Sequence, residues 1–229
     1  MSYVITTAQR LGHDLKKPGL RVLDFGCGDG HIVKELADLG VDAYGVDIDR
    51  VALAKGGERC LYANGRLPFP DNHFDFIYAN QVLEHVTSLP ITSPEVYRVL
   101  KPGGAWYTAS PAKYGLCEPH IDVPFVHWLP KSGGWRLAWL RICHRLGIGD
   151  FHGASPEDQE AYLREHTFYR SRAEMRAILG RCFRVRFVAA KQLDAALKER
   201  GKALPSILAP LAEWAVGTFH EHRMLLQKR

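Results

Sequence analysis

A chain of 229 residues, 46% hydrophobic and 24% charged, can bury a sizeable core and is too apolar for a disordered segment. Its five cysteines, at 27, 60, 117, 143 and 182, form no C-x-x-C pair, which argues against a disulfide framework or a zinc ribbon. The net charge of +5 is uneven: residues 1–110 carry 11 Lys and Arg against 13 Asp and Glu, and residues 111–229 carry 19 against 12.

The opening MSYVITTAQRLGHDLKKPG lacks the apolar run of a signal peptide, and its residues 2–15 read as a helix. Arg21–Phe25 is a compact apolar strand running into Gly26-Cys27-Gly28-Asp29-Gly30, and His31–Leu39 has helical spacing that stops at Gly40. A second strand, Asp42–Val46, ends at Asp47-Ile48-Asp49, and Asp49 is placed to cap a helix reaching about Glu58. After a short segment at Cys60–Ala63, the Asp71-Asn72 turn introduces a strand at Phe74–Ala79, with a helix predicted from about Gln81. Glu95–Leu100 is helical, and Ala105–Ala109 is again a strand.

Strands alternating with helices in this way predict a doubly wound, Rossmann-like α/β domain of seven strands, mostly parallel, with an antiparallel last strand. The alternation breaks at Ser110-Pro111. From about 111 to 170 the chain is rich in Trp, His, Pro and Arg, which reads as a substrate-covering insertion within one domain over 1–229. Regularity resumes with a helix at Ser171–Gly180, a strand at Phe183–Ala189 and a terminal strand at Arg223–Gln227. No stretch approaches the roughly 18 uninterrupted apolar residues of a membrane span. The expectation is therefore a soluble, reduced, cytoplasmic protein.

A strand ending in a glycine turn ahead of a helix lets backbone N–H groups approach a ligand. A dinucleotide fingerprint counted from Gly26 would need glycine where His31 stands. The pattern is instead an acid followed by three alternating glycines: Asp24, Gly26, Gly28, Gly30. A carboxylate at the strand end would repel a diphosphate but suits a ligand carrying an ammonium group. Asp47, ending the next strand, is placed to accept from both hydroxyls of a ribose, and Ile48 to pack on an adenine. An adenosine with an amino-acid tail fits this chemistry.

VLDFGCGDG (22–30), GVDID (45–49), LPFPDNHFDFIYANQVLEHV (67–86) and RVLKPGG (98–104) resemble successive motifs of class I S-adenosylmethionine-dependent methyltransferases, in the ubiquinone/menaquinone-biosynthesis-like branch. The resemblance implies that Gly26, Cys27, Gly28 and Gly30 wrap the methionine portion and that Asp24 orients its amine. It implies ribose contact by Asp47, adenine contact by Ile48, and Asn80 and Gln81 beneath the methionine and its methyl. Where such proteins commonly carry an acid for the adenine amino group this chain has Ala63, so Asn64 becomes the candidate. The Cys27 side chain itself reads as a small packing residue.

Methyl transfer asks a protein to align donor and acceptor, exclude water and, for a hydroxyl acceptor, remove a proton. Candidates for the proton are His85, which also suits a structural hydrogen bond, and His120. Tyr114, Glu118, His127 and Trp128 in the insertion are candidates for acceptor contact. No spacing of histidines, cysteines and acids matches a metal-ligand motif. On residues 135–146, Trp135, Ala138, Trp139, Ile142, Cys143 and Leu146 share a helical face mostly opposite Arg136, Arg141, His144 and Arg145, which suits a cap over the substrate pocket or sheet, the favoured reading, or peripheral contact with an anionic membrane. A small or lipid-linked acceptor, methylated on oxygen, is the favoured reading. The alternatives are a non-catalytic S-adenosylmethionine-binding protein and an RNA methyltransferase, the latter disfavoured because Lys and Arg are spread rather than clustered.

Overall fold

The computed structural model describes residues 3–199 and 201–228; Ser2 of the first predicted helix lies outside them. One sheet holds β1 (Arg21–Phe25), β2 (Asp42–Asp47), β3 (Cys60–Tyr62), β4 (Phe74–Asn80), β5 (Leu100–Pro111), β6 (Phe183–Phe187) and β7 (Glu221–Lys228) in the order β3-β2-β1-β4-β5-β7-β6. The pairings from β3 through β5 are parallel, and β7 runs antiparallel to both β5 and β6.

The period-2 alternation of a strand sorts the core into two layers. Val22, Phe76, Tyr78 and Tyr107 face α1 (Tyr3–Leu11) and α2 (His31–Asp38), which contribute Ile5, Ala8, Val33 and Leu36. Leu23, Ile77 and Trp106 face the other way. They pack on Leu89 and Val96 of α4 (Leu89–Val99) and on Met175 and Leu179 of α7 (Arg172–Leu179). Helices thus cover both faces, and the sheet follows the doubly wound plan.

Local differences from the sequence reading have local causes. The helix after β2, α3, spans only Arg50–Leu53; Gly56 and Gly57 follow it. Asp49 caps it as expected, accepting from the N–H groups of Val51 at 2.8 Å and Ala52 at 3.1 Å. No helix starts at Gln81: residues 81–88 form turns, and α4 begins at Leu89. The Arg170 guanidinium takes the carbonyls of Leu83 and Val86, at 2.8 and 2.6 Å, and fixes those turns from outside.

Residues 111–170 build a third apolar cluster of their own. A 3₁₀ turn at Val126–Trp128, α5 (Trp135–Leu146) and α6 (Pro156–His166) enclose Ile121, Val123, Val126, Leu140, Cys143, Phe151 and Leu163. The remaining helices, α8 (Ala189–Lys198) and α9 (Ala209–Phe219), lie between β6 and β7. Among the described residues no helix is long and apolar enough to cross a membrane.

Candidate active site

The carboxyl ends of β1, β2 and β4 bring the predicted cofactor residues together. At Gly26 the backbone takes φ +83°, and a Cβ there would overlap the Val82 side chain, so the turn can lie against residue 82 only as glycine. Gly28 is also left-handed, at φ +54°, but a Cβ on it would meet nothing within 4 Å: the space above it is open. The Gly28 N–H donates to Asp47 Oδ2 at 2.7 Å, and Asp47 Oδ1 accepts from the Asp49 N–H at 2.8 Å. Each oxygen retains a lone pair for a ligand hydroxyl. Cys27 is buried in the α1–α2 core layer, so only its backbone belongs to the turn.

Asp24 is 3% exposed, and its Oδ2 has no hydrogen-bond partner. Burial pushes its carboxyl up to about 7. Ile48 and Asn64 are exposed, the latter in the bend after β3, beyond Ala63, whose N–H donates to the Asp47 carbonyl at 3.0 Å. Asn80 ends β4 in register with Ala109. Gln81 takes φ +55°, its N–H donates to the Ala109 carbonyl at 2.8 Å, and its side-chain amide reaches Glu221 at 3.4 Å.

A second group of polar residues lies where the turns after β4 meet the insertion. Glu118 is fully buried. Its Oε2 accepts the N–H groups of His120 and Ile121 at 2.8 and 3.0 Å, while Oε1 accepts from His120 Nδ1 at 2.7 Å and from the Tyr169 hydroxyl. Burial alone would raise the Glu118 carboxyl; the hydrogen bonds from His120 and Tyr169 outweigh it and hold it below the ordinary range. The same bond raises His120, and desolvation lowers His85. His85 Nδ1 donates to the His166 carbonyl at 2.8 Å, and the Nε2 atoms of His85 and His120 face each other at 3.3 Å. Glu84, beside them, is 2% exposed with neither carboxylate oxygen partnered, and burial pushes it up to about 7.

Tyr169 also lines a cavity of about 380 Å³ with Lys113, His127, Trp128, Lys131, Arg136 and Arg170, and no carboxylate is among its lining residues. His127 is buried with its Nδ1 unpartnered, and the Trp128 indole donates to the Gly115 carbonyl at 2.8 Å. Tyr114 is exposed on the turn after β5 and is not among the residues lining the cavity. α5 departs from its predicted faces. Arg136 is buried, donating to the Leu129 carbonyl at 2.8 Å, and Cys143 joins the insertion core, whereas Trp135, Ile142 and Leu146 remain exposed.

Sequence reasoning missed Glu84, Tyr169 and Arg170. The signal for Glu84 was a lone acid in the apolar run Val82-Leu83-Glu84-His85-Val86. Nothing local marks Tyr169 or Arg170, whose partners are 51 and 87 residues away.

A family model described as a methyltransferase domain matches residues 23–108, the span from β1 to β5 that carries the glycine turn and Asp47. The demethylmenaquinone methyltransferase of Symbiobacterium thermophilum is 34% identical over 175 residues, covering 66% of this chain and 69% of its own. The sterol 24-C-methyltransferase of Gibberella zeae is 35% identical over 108 residues, 41% of this chain; the chain spans only 28% of that protein's length. The fold matches the crystal structure of an S-adenosylmethionine-dependent methyltransferase from Mesorhizobium loti with a TM-score of 0.54 at 16% identity, over 97% of this chain and 96% of that one. With the motifs, the strand order and a relative matched along most of its length in agreement, the chain belongs to the class I S-adenosylmethionine-dependent methyltransferases.

Proposed function

We propose that this protein transfers the methyl group of S-adenosylmethionine to a hydroxyl oxygen of a small or lipid-linked acceptor. One observation carries the donor half: a buried Asp24 carboxylate oxygen without a partner stands at the end of β1, beside a glycine turn with open space above Gly28. A cationic amine is what such an oxygen lacks, and the cofactor's methionine end provides one. Asp47 offers lone pairs to the ribose hydroxyls. Ile48 offers an apolar face to the adenine, with Asn64 next to it, and Asn80 and Gln81 bound the methionine from β4.

When bound, the cofactor supplies an electrophilic methyl on a sulfonium, which leaves readily once a nucleophile is aligned in line with it. The protein's task is then positioning and proton removal. His120 is the residue proposed to take the acceptor's proton, since its Nδ1–H is anchored on Glu118 and the resulting imidazolium would be stabilised there. His85 Nε2 faces the ring's other nitrogen at 3.3 Å. The cavity beside Tyr169, with Lys113, Lys131, Arg136 and Arg170 around it, favours an acceptor that bears negative charge, with His127, Trp128 and the nearby Tyr114 as contacts.

An amphiphilic acceptor is supported by relatives named for a sterol and for demethylmenaquinone, and by exposed Trp135, Ile142 and Leu146 on α5 next to Arg141 and Arg145. The test is transfer of a labelled methyl group to a panel of phenolic, quinol and lipid-linked hydroxyl acceptors. Product labelled on oxygen, reduced at least tenfold in His120→Ala, is the expected result. Labelling on carbon or nitrogen, or none in a protein that binds the cofactor, would refute the oxygen acceptor.

A further inference from the structure

We propose that Glu84, His85 and His120 form a binding site for one divalent cation of the zinc class. One carboxylate oxygen of Glu84 and one ring nitrogen of each histidine lie within 4.8 Å of one another. The facing nitrogens are the two Nε2 atoms, 3.3 Å apart. Two zinc–nitrogen bonds opened to the tetrahedral angle span about 3.3 Å. The rings already stand at the separation that a tetrahedral centre requires.

The hydrogen bonds of both rings point to the same place. His85 Nδ1 faces a backbone carbonyl, which only accepts, so that nitrogen carries the proton. His120 Nδ1 faces the Glu118 carboxylate and carries its proton for the same reason. With both Nδ1 atoms protonated, neutral rings would aim their Nε2 lone pairs at one another across 3.3 Å, so a positive group, a proton or a cation, belongs between them. A shared proton would satisfy the rings but leave Glu84, whose two buried oxygens have no partner. An unpaired buried carboxylate is costly, and a dication answers all three groups at once.

The surroundings suit a ligand set. Metal-bound histidines characteristically donate their other N–H to a carboxylate or a backbone carbonyl. His120 does so to Glu118, itself held by Tyr169 and two backbone N–H groups, and His85 does so to the His166 carbonyl. Two imidazoles and one carboxylate favour zinc and its first-row neighbours over magnesium or calcium, which take oxygen ligands. The absence of a recognisable spacing in the sequence is no obstacle, because His120 comes from the insertion, 35 residues beyond His85.

Three protein donors leave a fourth position open. Resting on the methyl-transfer reading, a cation held there would bind the acceptor's hydroxyl oxygen at that position and ease loss of its proton to solvent, the oxygen keeping the electron pair as nucleophile. With the cation bound, His120 would serve as its ligand and the cation would take over activation of the hydroxyl; the cation-free protein would use His120 as the base. Cation binding itself does not depend on that role.

Full-length protein stripped with a chelator is titrated calorimetrically with Zn²⁺, and separately with Co²⁺ while its visible absorption is recorded. One equivalent of zinc is expected. Its affinity should fall tenfold or more in each of Glu84→Gln, His85→Ala and His120→Ala, and about tenfold in Glu118→Gln. Cobalt should develop the intense visible bands of a four-coordinate ion. Circular dichroism and S-adenosylmethionine affinity, measured on every variant, report an intact fold and separate this test from that of methyl transfer. Zinc affinity unchanged in the three ligand variants, or no stoichiometric zinc on folded wild type, would overturn the site and leave a proton between the rings.

Discussion

The backbone N–H of Gly28 donates to the carboxylate of Asp47 at 2.7 Å, tying the glycine turn after β1 to the end of β2. The bond sets the width of the ledge on which the cofactor is proposed to lie, with open space above Gly28. Gly28→Ala puts a methyl group into that space and strains a left-handed backbone. The expected stability loss is about 1 kcal/mol, read by denaturant unfolding. Affinity for S-adenosylmethionine should fall tenfold or more, beyond what the strain accounts for. A variant that lost stability but kept its affinity would show that the ligand does not occupy this space.

Asp24 makes the stability of the ligand-free protein fall as pH rises. Its folded pKa, pushed up to about 7 by burial, exceeds the ordinary 3.8, so between those values the folded state holds a proton that the unfolded state has released. Stability from this group is complete below about pH 4 and lost as pH climbs through 7. Asp24→Asn should therefore be more stable than wild type at pH 8, by about 2–4 kcal/mol, with the difference closing toward pH 4. The same substitution should weaken cofactor binding, since the amine loses its counter-charge. Equal pH dependence of the melting temperature in both proteins would contradict this origin of the slope.

The apolar edge of α5 makes a prediction about surfaces. Trp135 and Leu146 are 63% and 67% exposed, and Arg141 and Arg145 stand on the same helix. Sedimentation with vesicles containing anionic phospholipid should carry the protein down at low salt, less so at high salt, and less so again for a Trp135→Ala, Leu146→Ala double variant. Vesicles of neutral lipid should retain little. Identical sedimentation of wild type and double variant would remove α5 from the contact.

Much of the parallel sheet was legible because its strands are short apolar runs punctuated by glycine and acid, each decided by neighbours within a few residues. The residues of the proposed donor site stand out for the same reason, with Asp24 through Gly30 and Asp47 each contiguous with a strand. The turns at 81–88 were not legible, because the carbonyls of Leu83 and Val86 are held by Arg170, far along the chain. Arg136 misled in a similar way. Its charge placed it on the solvent face of α5, whereas carbonyls of the preceding loop satisfy it in the interior. The grouping of Glu84, His85, His120 and Tyr169 depends on how the insertion folds back over β4, which no local pattern encodes.

The most direct test of the account is calorimetric titration with S-adenosylmethionine and S-adenosylhomocysteine, on wild type and on Asp47→Ala. Micromolar binding of both ligands by wild type, lost in the variant while its fold persists, is the predicted result. No binding by folded wild type, or equal binding by the variant, would contradict the assignment of the glycine turn and Asp47 as the cofactor site.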